Sequence, residues 1–127
     1  KNLGIPLVII RKEGKVTEGS TISINYLSGT SGRIQQMSLS KKLMKPNSKC
    51  IFIDDFLRGG GTAKGIIDLL NEFDSELVGI GVLIDNIGVK NKLISDYISI
   101  IDLNNLEKDK ELEITPSKIF DEDYFNS

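Results

Sequence analysis

Short apolar runs alternate with polar and glycine-containing segments along this chain, which is the pattern of strands joined by loops. Three such runs occupy residues 5–10, 50–53 and 77–84. Continuous apolar runs of this length are typical of strands that are buried on both faces of a parallel sheet. We therefore predict a central parallel strand at residues 5–10 and a strand buried on both faces at residues 50–53.

A helical pattern lies between the second and third runs. Apolar residues recur in the spacing of one amphipathic stripe over residues 63–73, and Thr62 is the predicted N-cap. Together with the flanking runs, this helix predicts a strand–helix–strand unit with parallel strands. Turn residues at 28–32, between alternating segments at 21–27 and 34–39, predict a β-hairpin. Further predicted elements are a short helix at 90–97, a strand at 98–103 and an edge strand at 112–115.

Composition narrows the class of protein. The chain has 127 residues, of which 39% are hydrophobic and 27% charged, as in a single globular domain. The absence of histidine excludes Ser-His and His-metal chemistry, and the lone Cys50 can form no internal disulfide. Since no apolar run approaches the ~18 residues of a membrane span and no secretory leader precedes the first strand, we expect a cytoplasmic location and no membrane partner.

Charge is unevenly distributed around the net value of −2. Residues 19–53 contain no acid, and their cations are Arg33, Lys41, Lys42, Lys45 and Lys49. A basic segment of this kind can attract phosphate or nucleic acid, but a solvated surface explains it as well, and we favour that interpretation. The segment from about residue 104 to 127 is an acidic tail. The overall acidity disfavours DNA binding by this chain alone.

The chemistry of the chain is concentrated where the second apolar run ends. Asp54 and Asp55 fall at the carboxyl end of a predicted parallel strand, where open α/β sheets bind ligands. Three glycines and Thr62 follow, so that backbone N–H groups and a helix N-terminus can hold an anion, with Arg58 beside them. A phosphorylated ribose suits this combination, and Mg²⁺ suits it when the ligand carries pyrophosphate. A tight turn without a ligand is the alternative.

Other glycine-loop signatures do not fit. A Walker loop requires G-x-x-x-x-G-K-S/T, whereas Lys64 follows Ala63 here. A dinucleotide fingerprint requires G-x-G-x-x-G without an acidic pair ahead of it. The stretch I-F-I-D-D-F-L-R-G-G-G-T instead resembles the phosphoribosyl pyrophosphate motif of type I phosphoribosyltransferases, in which an apolar run and two acids precede a loop ending in G-G-T.

Three further segments extend the resemblance: K-V-T-E-G-S-T-I-S-I-N-Y-L-S-G, R-I-Q-Q-M-S-L-S-K and G-I-G-V-L-I. They are similar to the effector domain of the purine operon repressors of Gram-positive bacteria, and the likeness covers residues 1 to about 115. It implies an α/β fold of the type I phosphoribosyltransferase kind, with a twisted, mainly parallel sheet, flanking helices and a β-hairpin hood. Residues 1–127 would form one such domain, with a mobile loop and hairpin at 11–40.

The resemblance also implies a function. In that family the domain is catalytically inert, phosphoribosyl pyrophosphate is the inducer, a winged-helix domain binds operator DNA, and the protein is a homodimer. No catalytic residue, resident metal or required cofactor is expected, although Mg²⁺ can accompany phosphoribosyl pyrophosphate. The implied effector-binding residues are Asp54, Asp55, Phe56, Leu57, Arg58, Gly59, Gly60, Gly61 and Thr62. Lys15, Thr17 and Tyr26 would belong to the mobile hood.

The family layout is incomplete here. Neither the winged helix nor the first strand and its pyrophosphate loop precedes Lys1, so we expect the N-terminal part of the fold to be missing. Two alternatives remain open. One is a xanthine or adenine phosphoribosyltransferase, although xanthine enzymes carry a Glu-Lys pair where this chain has Asp85 and Asn86. The other is a sensor of guanosine tetraphosphate at the same cradle, with its base near Phe56.

Overall fold

The computed structural model describes residues 2–12, 21–28, 32–104 and 112–126. In these ranges the chain forms seven strands, one α-helix and a short 3-10 helix. In chain order they are β1 (Arg11–Lys12), β2 (Thr21–Leu27), β3 (Ile34–Ser40), β4 (Lys49–Leu57), α1 (Gly61–Asn71), β5 (Glu76–Asn86), β6 (Ile98–Asn104), β7 (Glu113–Pro116) and the 3-10 helix Lys118–Phe120.

The larger sheet has four strands in the order β4-β5-β6-β7. The first three strands are parallel and β7 is antiparallel to β6. Helix α1 connects β4 to β5, so the predicted strand–helix–strand unit is confirmed, as are the strand at 98–103 and the edge strand before Pro116. The fold is therefore the mainly parallel α/β sheet that the resemblance implies.

The smaller sheet is the predicted hairpin with one short addition. Strands β2 and β3 pair antiparallel from Thr21 opposite Ser40 to Leu27 opposite Ile34. Arg11 and Lys12 add β1 to the other edge of β3. The predicted central strand at residues 5–10 is wrong: no strand is assigned there, Leu7 is exposed, and only Val8 and Ile10 pack against the core. Pro6 offers no N–H to a ladder, and the segment meets apolar surface on one side only.

The hydrophobic core lies where α1 meets the hairpin and one face of the larger sheet. Eight buried side chains form it: Tyr26, Met37, Leu39, Met44, Ile66, Leu69, Leu70 and Phe73. Gly65 lets α1 approach the hairpin, because a Cβ there would lie 2.9 Å from both Met37 Cε and Tyr26 Cβ. Along the described chain, α1 falls short of the length and apolarity that a membrane-crossing helix needs.

The opposite face of the larger sheet is uncovered in the described residues. Ile51 and Ile53 of β4 are 63% and 72% exposed, and register places Leu83, Ile98 and Ile100 on the same face. The prediction that residues 50–53 are buried on both faces is therefore wrong. Only the alternate residues of β4 contact the core, because α1 and the hairpin cover one face of the sheet.

Two predicted helical features differ in the structure. Helix α1 begins at Gly61, and its N-cap is Gly60 rather than Thr62. Gly60 has φ 83°, a left-handed conformation that glycine adopts without strain, and no side chain caps the helix. The predicted helix at residues 90–97 is wrong, since Asn91 has φ 59° and no helix is assigned there.

Candidate functional site

A cavity of about 260 Å³ opens at the carboxyl end of β4. All nine residues that the central stretch predicts as effector-binding lie along its wall: Asp54, Asp55, Phe56, Leu57, Arg58, Gly59, Gly60, Gly61 and Thr62. Tyr26, predicted in the hood, also lines the cavity, while Lys15 and Thr17 lie outside the described residues. The structure therefore brings the predicted motif together around one space.

The glycine loop supplies backbone donors to this cavity. The first hydrogen bond of α1 runs from the Lys64 N–H to the Gly60 carbonyl, at 2.9 Å. The N–H groups of Gly61, Thr62 and Ala63 precede that bond and have no acceptor within the helix. All three residues line the cavity. A helix N-terminus with free N–H groups attracts an anion, so this part of the wall suits a phosphate.

Two acidic residues of β4 line the same cavity. Asp54 is partly buried, and the Asp55 N–H donates to its Oδ1 at 2.9 Å. Burial raises the pKa of Asp54 above its ordinary value of 3.8; the neighbouring Asp55 also raises it, while the Asp55 N–H and the charge of Lys12 lower it. Asp54 therefore lies in an environment that disfavours its ionised form, and hydroxyl donors from a ligand would relieve this.

Lys12 is a site residue that the sequence did not reveal. It lines the cavity from β1, and its Nζ donates to Thr62 Oγ1 at 3.4 Å. Pairing of Lys12 with Met37 of β3 carries it over the start of α1. In the sequence it belongs to a polar segment that follows an apolar run, which predicts an exposed loop. Only the register of β1 on β3 distinguishes it from other surface lysines.

Aromatic side chains form a part of the apolar wall. Tyr26 is buried, and its hydroxyl donates to Gln35 Oε1 at 3.1 Å. Phe56 is 37% exposed and lines the cavity together with Phe52. The site thus combines carboxylates, backbone donors, two cations and aromatic surface.

A loop segment, residues 87–97, contacts the glycine loop through Leu93 and Ile94. The Leu93 N–H donates to the Gly59 carbonyl at 2.8 Å. A Cβ placed on Gly60 would lie 3.1 Å from Ile94 Cγ1 and 3.2 Å from the Ile94 nitrogen. No residue of this segment lines the cavity, so it contacts the glycine loop on the side away from the cavity.

A partly buried ionic cluster anchors this segment to the end of β5. Lys92 Nζ donates to Asp85 Oδ1 at 2.5 Å and to the Tyr97 hydroxyl at 3.1 Å, and that hydroxyl donates to Asp85 Oδ2 at 2.8 Å. The side chains of Lys92 and Asp85 are 12% and 7% exposed. Burial disfavours the charge on Lys92, but its hydrogen bonds to Asp85 and Tyr97 outweigh that, so the pKa of Lys92 lies above 10.5. Burial also raises the pKa of Tyr97 above 10.0, assisted by its hydrogen bond to Asp85.

The described residues contain no group of three or more acidic or cysteine side chains arranged to hold an ion. Asp54 and Asp55 lie on the cavity wall, and a Mg²⁺ ion suits this site when a pyrophosphate-bearing ligand brings it, because Mg²⁺ favours ligand phosphates and water over an all-protein cage.

Comparison with known proteins agrees with this geometry. The chain is 51% identical over 113 residues to the purine biosynthesis transcriptional repressor PurR of Bacillus subtilis, covering 88% of this chain and 40% of the relative. It is 36% identical over 121 residues to the purine biosynthesis transcriptional activator PurR of Lactococcus lactis, covering 94% of this chain and 45% of the relative. The chain thus spans less than half the length of these regulators.

The fold has counterparts among solved structures. Adenine phosphoribosyltransferase from Giardia lamblia, crystallised with 9-deazaadenine, superimposes with a TM-score of 0.68 at 21% identity, covering 82% of this chain and 60% of the enzyme. At that identity the likeness concerns the fold alone. The family model of the phosphoribosyl transferase domain matches residues 1–113. The chain therefore belongs to the phosphoribosyl transferase domain family.

Proposed function

We propose that this chain is the effector-sensing domain of a transcriptional regulator of purine genes, and that it binds phosphoribosyl pyrophosphate without turning it over. The observation that carries the proposal is the cavity at the end of β4, which joins paired carboxylates to a glycine loop and a helix N-terminus. Carboxylates accept hydrogen bonds from vicinal hydroxyls, and the N–H groups suit a phosphate. The similarity to two purine regulators supports the regulatory part.

The proposed binding mode follows from the charges on the wall. Asp54 and Asp55 accept hydrogen bonds from the ribose hydroxyls, and the N–H groups at the start of α1 hold the 5′-phosphate. Arg58 and Lys12 add positive charge beside that phosphate, offsetting the carboxylates. Mg²⁺ enters only with the pyrophosphate group.

The absence of turnover is proposed because the end of β5 does not reach the cavity. A transferase must place a purine beside the anomeric carbon and keep water away from it. Asp85 is buried in its cluster with Lys92 and Tyr97, and none of these three residues lines the cavity. The described chain therefore brings no base-binding side chain from that strand end to the cavity.

Operator DNA enters this proposal through a winged-helix domain outside the present chain, and the regulator acts as a homodimer. Effector binding would shift the protein between conformations with different affinities for DNA, because a ligand moves an equilibrium only by its differential affinity for the two states. Its relatives include both a repressor and an activator. The proposed effector binding is compatible with either mode of regulation.

The full-length protein tests this proposal directly. Calorimetry with phosphoribosyl pyrophosphate and Mg²⁺ should detect saturable binding, and the same ligand should change the affinity for operator DNA. In parallel, incubation with adenine, guanine, hypoxanthine or xanthine should produce no nucleotide. Nucleotide formation would establish the transferase alternative, and lack of binding would reject the proposed effector.

Lys12 provides a matched variant for the binding arm. Lys12→Met should weaken binding of phosphoribosyl pyrophosphate about 10- to 100-fold, since a charge-assisted contact contributes on the order of 1.5–3 kcal/mol. Lys49→Met at the exposed opposite end of β4 is the control and should bind as the wild type does. Equal affinity of both variants would remove Lys12 from the site.

Guanosine tetraphosphate is a second ligand class for the same cradle. Phe56 is 37% exposed on the cavity wall, which leaves an aromatic face for a purine base. If the tetraphosphate uses this site, it should compete with phosphoribosyl pyrophosphate in calorimetric displacement. Simultaneous binding of both ligands would exclude a shared site.

A further inference from the structure

The end of β5 carries a partly buried cluster of Asp85, Lys92 and Tyr97, none of which lines the cavity at the end of β4. In many parallel sheets the carboxylate at such a strand end faces a ligand. Here two donors from the following segment occupy its oxygens, at 2.5 Å from Lys92 and 2.8 Å from Tyr97. A buried charge of this kind is stable only with its partner, so the cluster holds both ends of the 92–97 stretch against β5.

Between those two anchored residues lie the contacts with the glycine loop. Leu93 follows Lys92 directly and donates its N–H to the Gly59 carbonyl at 2.8 Å. Ile94 comes next, and its side chain and nitrogen lie against the Cα of Gly60 so closely that a Cβ there would be 3.1 Å from Cγ1. Gly60 is buried and left-handed, with φ 83°. The segment thus contacts the glycine loop at the peptide between Gly59 and the left-handed Gly60.

The Leu93 hydrogen bond fixes the direction of that peptide. In a trans peptide the carbonyl and the N–H point in opposite directions. With the Gly59 carbonyl turned toward Leu93, the Gly60 N–H of the same peptide points away from residues 87–97. Gly60 lines the cavity and residues 87–97 do not, so this orientation of the peptide suits an N–H that faces the cavity. A reversed peptide would present a carbonyl oxygen to an anion instead.

We propose that the Asp85–Lys92–Tyr97 cluster is a positioning device for the phosphate-binding loop, acting through the Leu93 N–H and Ile94 on Gly59 and Gly60. Asp85, Lys92 and Tyr97 are positioning residues, since they act through the loop and not on the ligand. The inference rests on the proposed function, because it assumes that the loop holds the phosphate of phosphoribosyl pyrophosphate. It adds that affinity depends on an ion pair behind the loop.

The test uses the full-length protein with Lys92→Met and, as matched control, Lys90→Met, which changes an exposed lysine of the same segment. Two quantities are measured: the amide exchange rate of Leu93 without ligand, and the dissociation constant for phosphoribosyl pyrophosphate with Mg²⁺. In Lys92→Met we expect at least tenfold faster exchange at Leu93 and at least tenfold weaker binding. Lys90→Met should match the wild type in both.

A double variant, Asp85→Asn with Lys92→Met, removes both buried charges and keeps the test valid if the single variant does not fold. It should regain stability but retain fast Leu93 exchange and weak binding, which separates positioning from general stabilisation. Wild-type affinity in a folded variant with fast Leu93 exchange would overturn the inference. An exchange rate at Leu93 in Lys92→Met as slow as in the wild type would also overturn it.

If the wild type binds no phosphoribosyl pyrophosphate, the proposed function fails, and the exchange rates still decide whether the cluster positions the loop.

Discussion

The carboxyl ends of β4 and β5 are neighbours in one sheet, and register places Leu57 beside Asp85. Both ends carry carboxylates, yet their surroundings differ. Asp54 and Asp55 line a cavity, whereas Asp85 is 5% exposed and accepts hydrogen bonds from Lys92 and Tyr97. The oxygens of Asp85 are thus occupied by side chains of the segment that follows its strand, whereas Asp54 and Asp55 border an open space.

The chain segments after the two strands explain this difference. After β4, Arg58 and three glycines lead directly into α1, and they line the same cavity as the two acids. After β5, the segment 87–97 turns back and supplies Lys92 and Tyr97 to Asp85. We call the end of β4, with Asp54 and Asp55, the open end, and the end of β5, with Asp85, the closed end. Carboxylate oxygens at the open end can accept hydrogen bonds from a ligand, whereas those of Asp85 accept them from Lys92 and Tyr97.

The largest expected effect comes from breaking the closed end. Lys92→Met leaves Asp85 buried and without its cation, which should lower the free energy of unfolding of the full-length protein by about 3–5 kcal/mol. Urea unfolding followed by circular dichroism measures this. Lys90→Met, an exposed change in the same segment, should stay within about 0.5 kcal/mol of the wild type. A loss of less than about 1 kcal/mol in Lys92→Met would mean that Asp85 does not depend on Lys92.

The open end should respond in the opposite way. Asp54→Asn removes a carboxylate whose pKa burial raises, so the folded state binds that proton more tightly than the unfolded state does. Its stabilising contribution is present at low pH and is lost as the pH rises through the raised pKa. At neutral pH we therefore expect Asp54→Asn to be at least as stable as the wild type.

Binding of phosphoribosyl pyrophosphate should instead weaken about 10- to 100-fold in Asp54→Asn, because a hydrogen bond to a charged group contributes about 1.5–3 kcal/mol. Thermal unfolding and calorimetry on the same preparation measure both quantities. Loss of stability together with unchanged affinity would assign Asp54 a structural role and remove the contrast between the two strand ends.

Gly60 lies where the two ends meet, and it tests their contact. Gly60→Ala forces a Cβ into a left-handed residue at φ 83° and against Ile94, which should cost about 1–3 kcal/mol of stability. Gly59→Ala is the matched control, because a Cβ there meets nothing within 4 Å. Equal urea midpoints for the two variants would show that the segment 87–97 does not press on the loop.

The sequence predicted the parts of the fold that depend on local pattern. The strand–helix–strand unit, the hairpin and the edge strand before Pro116 each have their own periodicity or turn residues, and each is confirmed. Features that depend on what covers an element were not predictable. Residues 50–53 form an apolar run, but the exposure of Ile51 and Ile53 depends on which face α1 and the hairpin cover.

The same division holds at the site. The acidic pair and glycine loop are contiguous in sequence, so their common location follows from one motif. Lys12 reaches Thr62 across 50 positions of sequence through the pairing of β1 with β3, and no local signal encodes that register. The cluster of Asp85, Lys92 and Tyr97 was missed for a related reason: residues 90–97 are compatible with a short helix, and only the buried Asp85 draws Lys92 and Tyr97 inward.

The smallest expected effect is the alkaline response of the closed end. The pKa values of Lys92 and Tyr97 lie above 10.5 and 10.0 in the folded protein, so the folded state keeps protons that the unfolded state releases in that range. The cluster's contribution to the free energy of unfolding is therefore complete at neutral pH and is lost as the pH rises through the raised pKa values.

Asp102, in register beside Asp85, adds a further negative charge near the cluster and should increase this loss of stability once Lys92 is neutral. Unfolding free energies of the wild type between pH 8 and 11 should fall more steeply than those of Tyr97→Phe, which cannot ionise at that position. Parallel slopes would mean that Tyr97 loses its proton equally well in the folded and unfolded chains, and that its hydrogen bond to Asp85 does not hold the closed end.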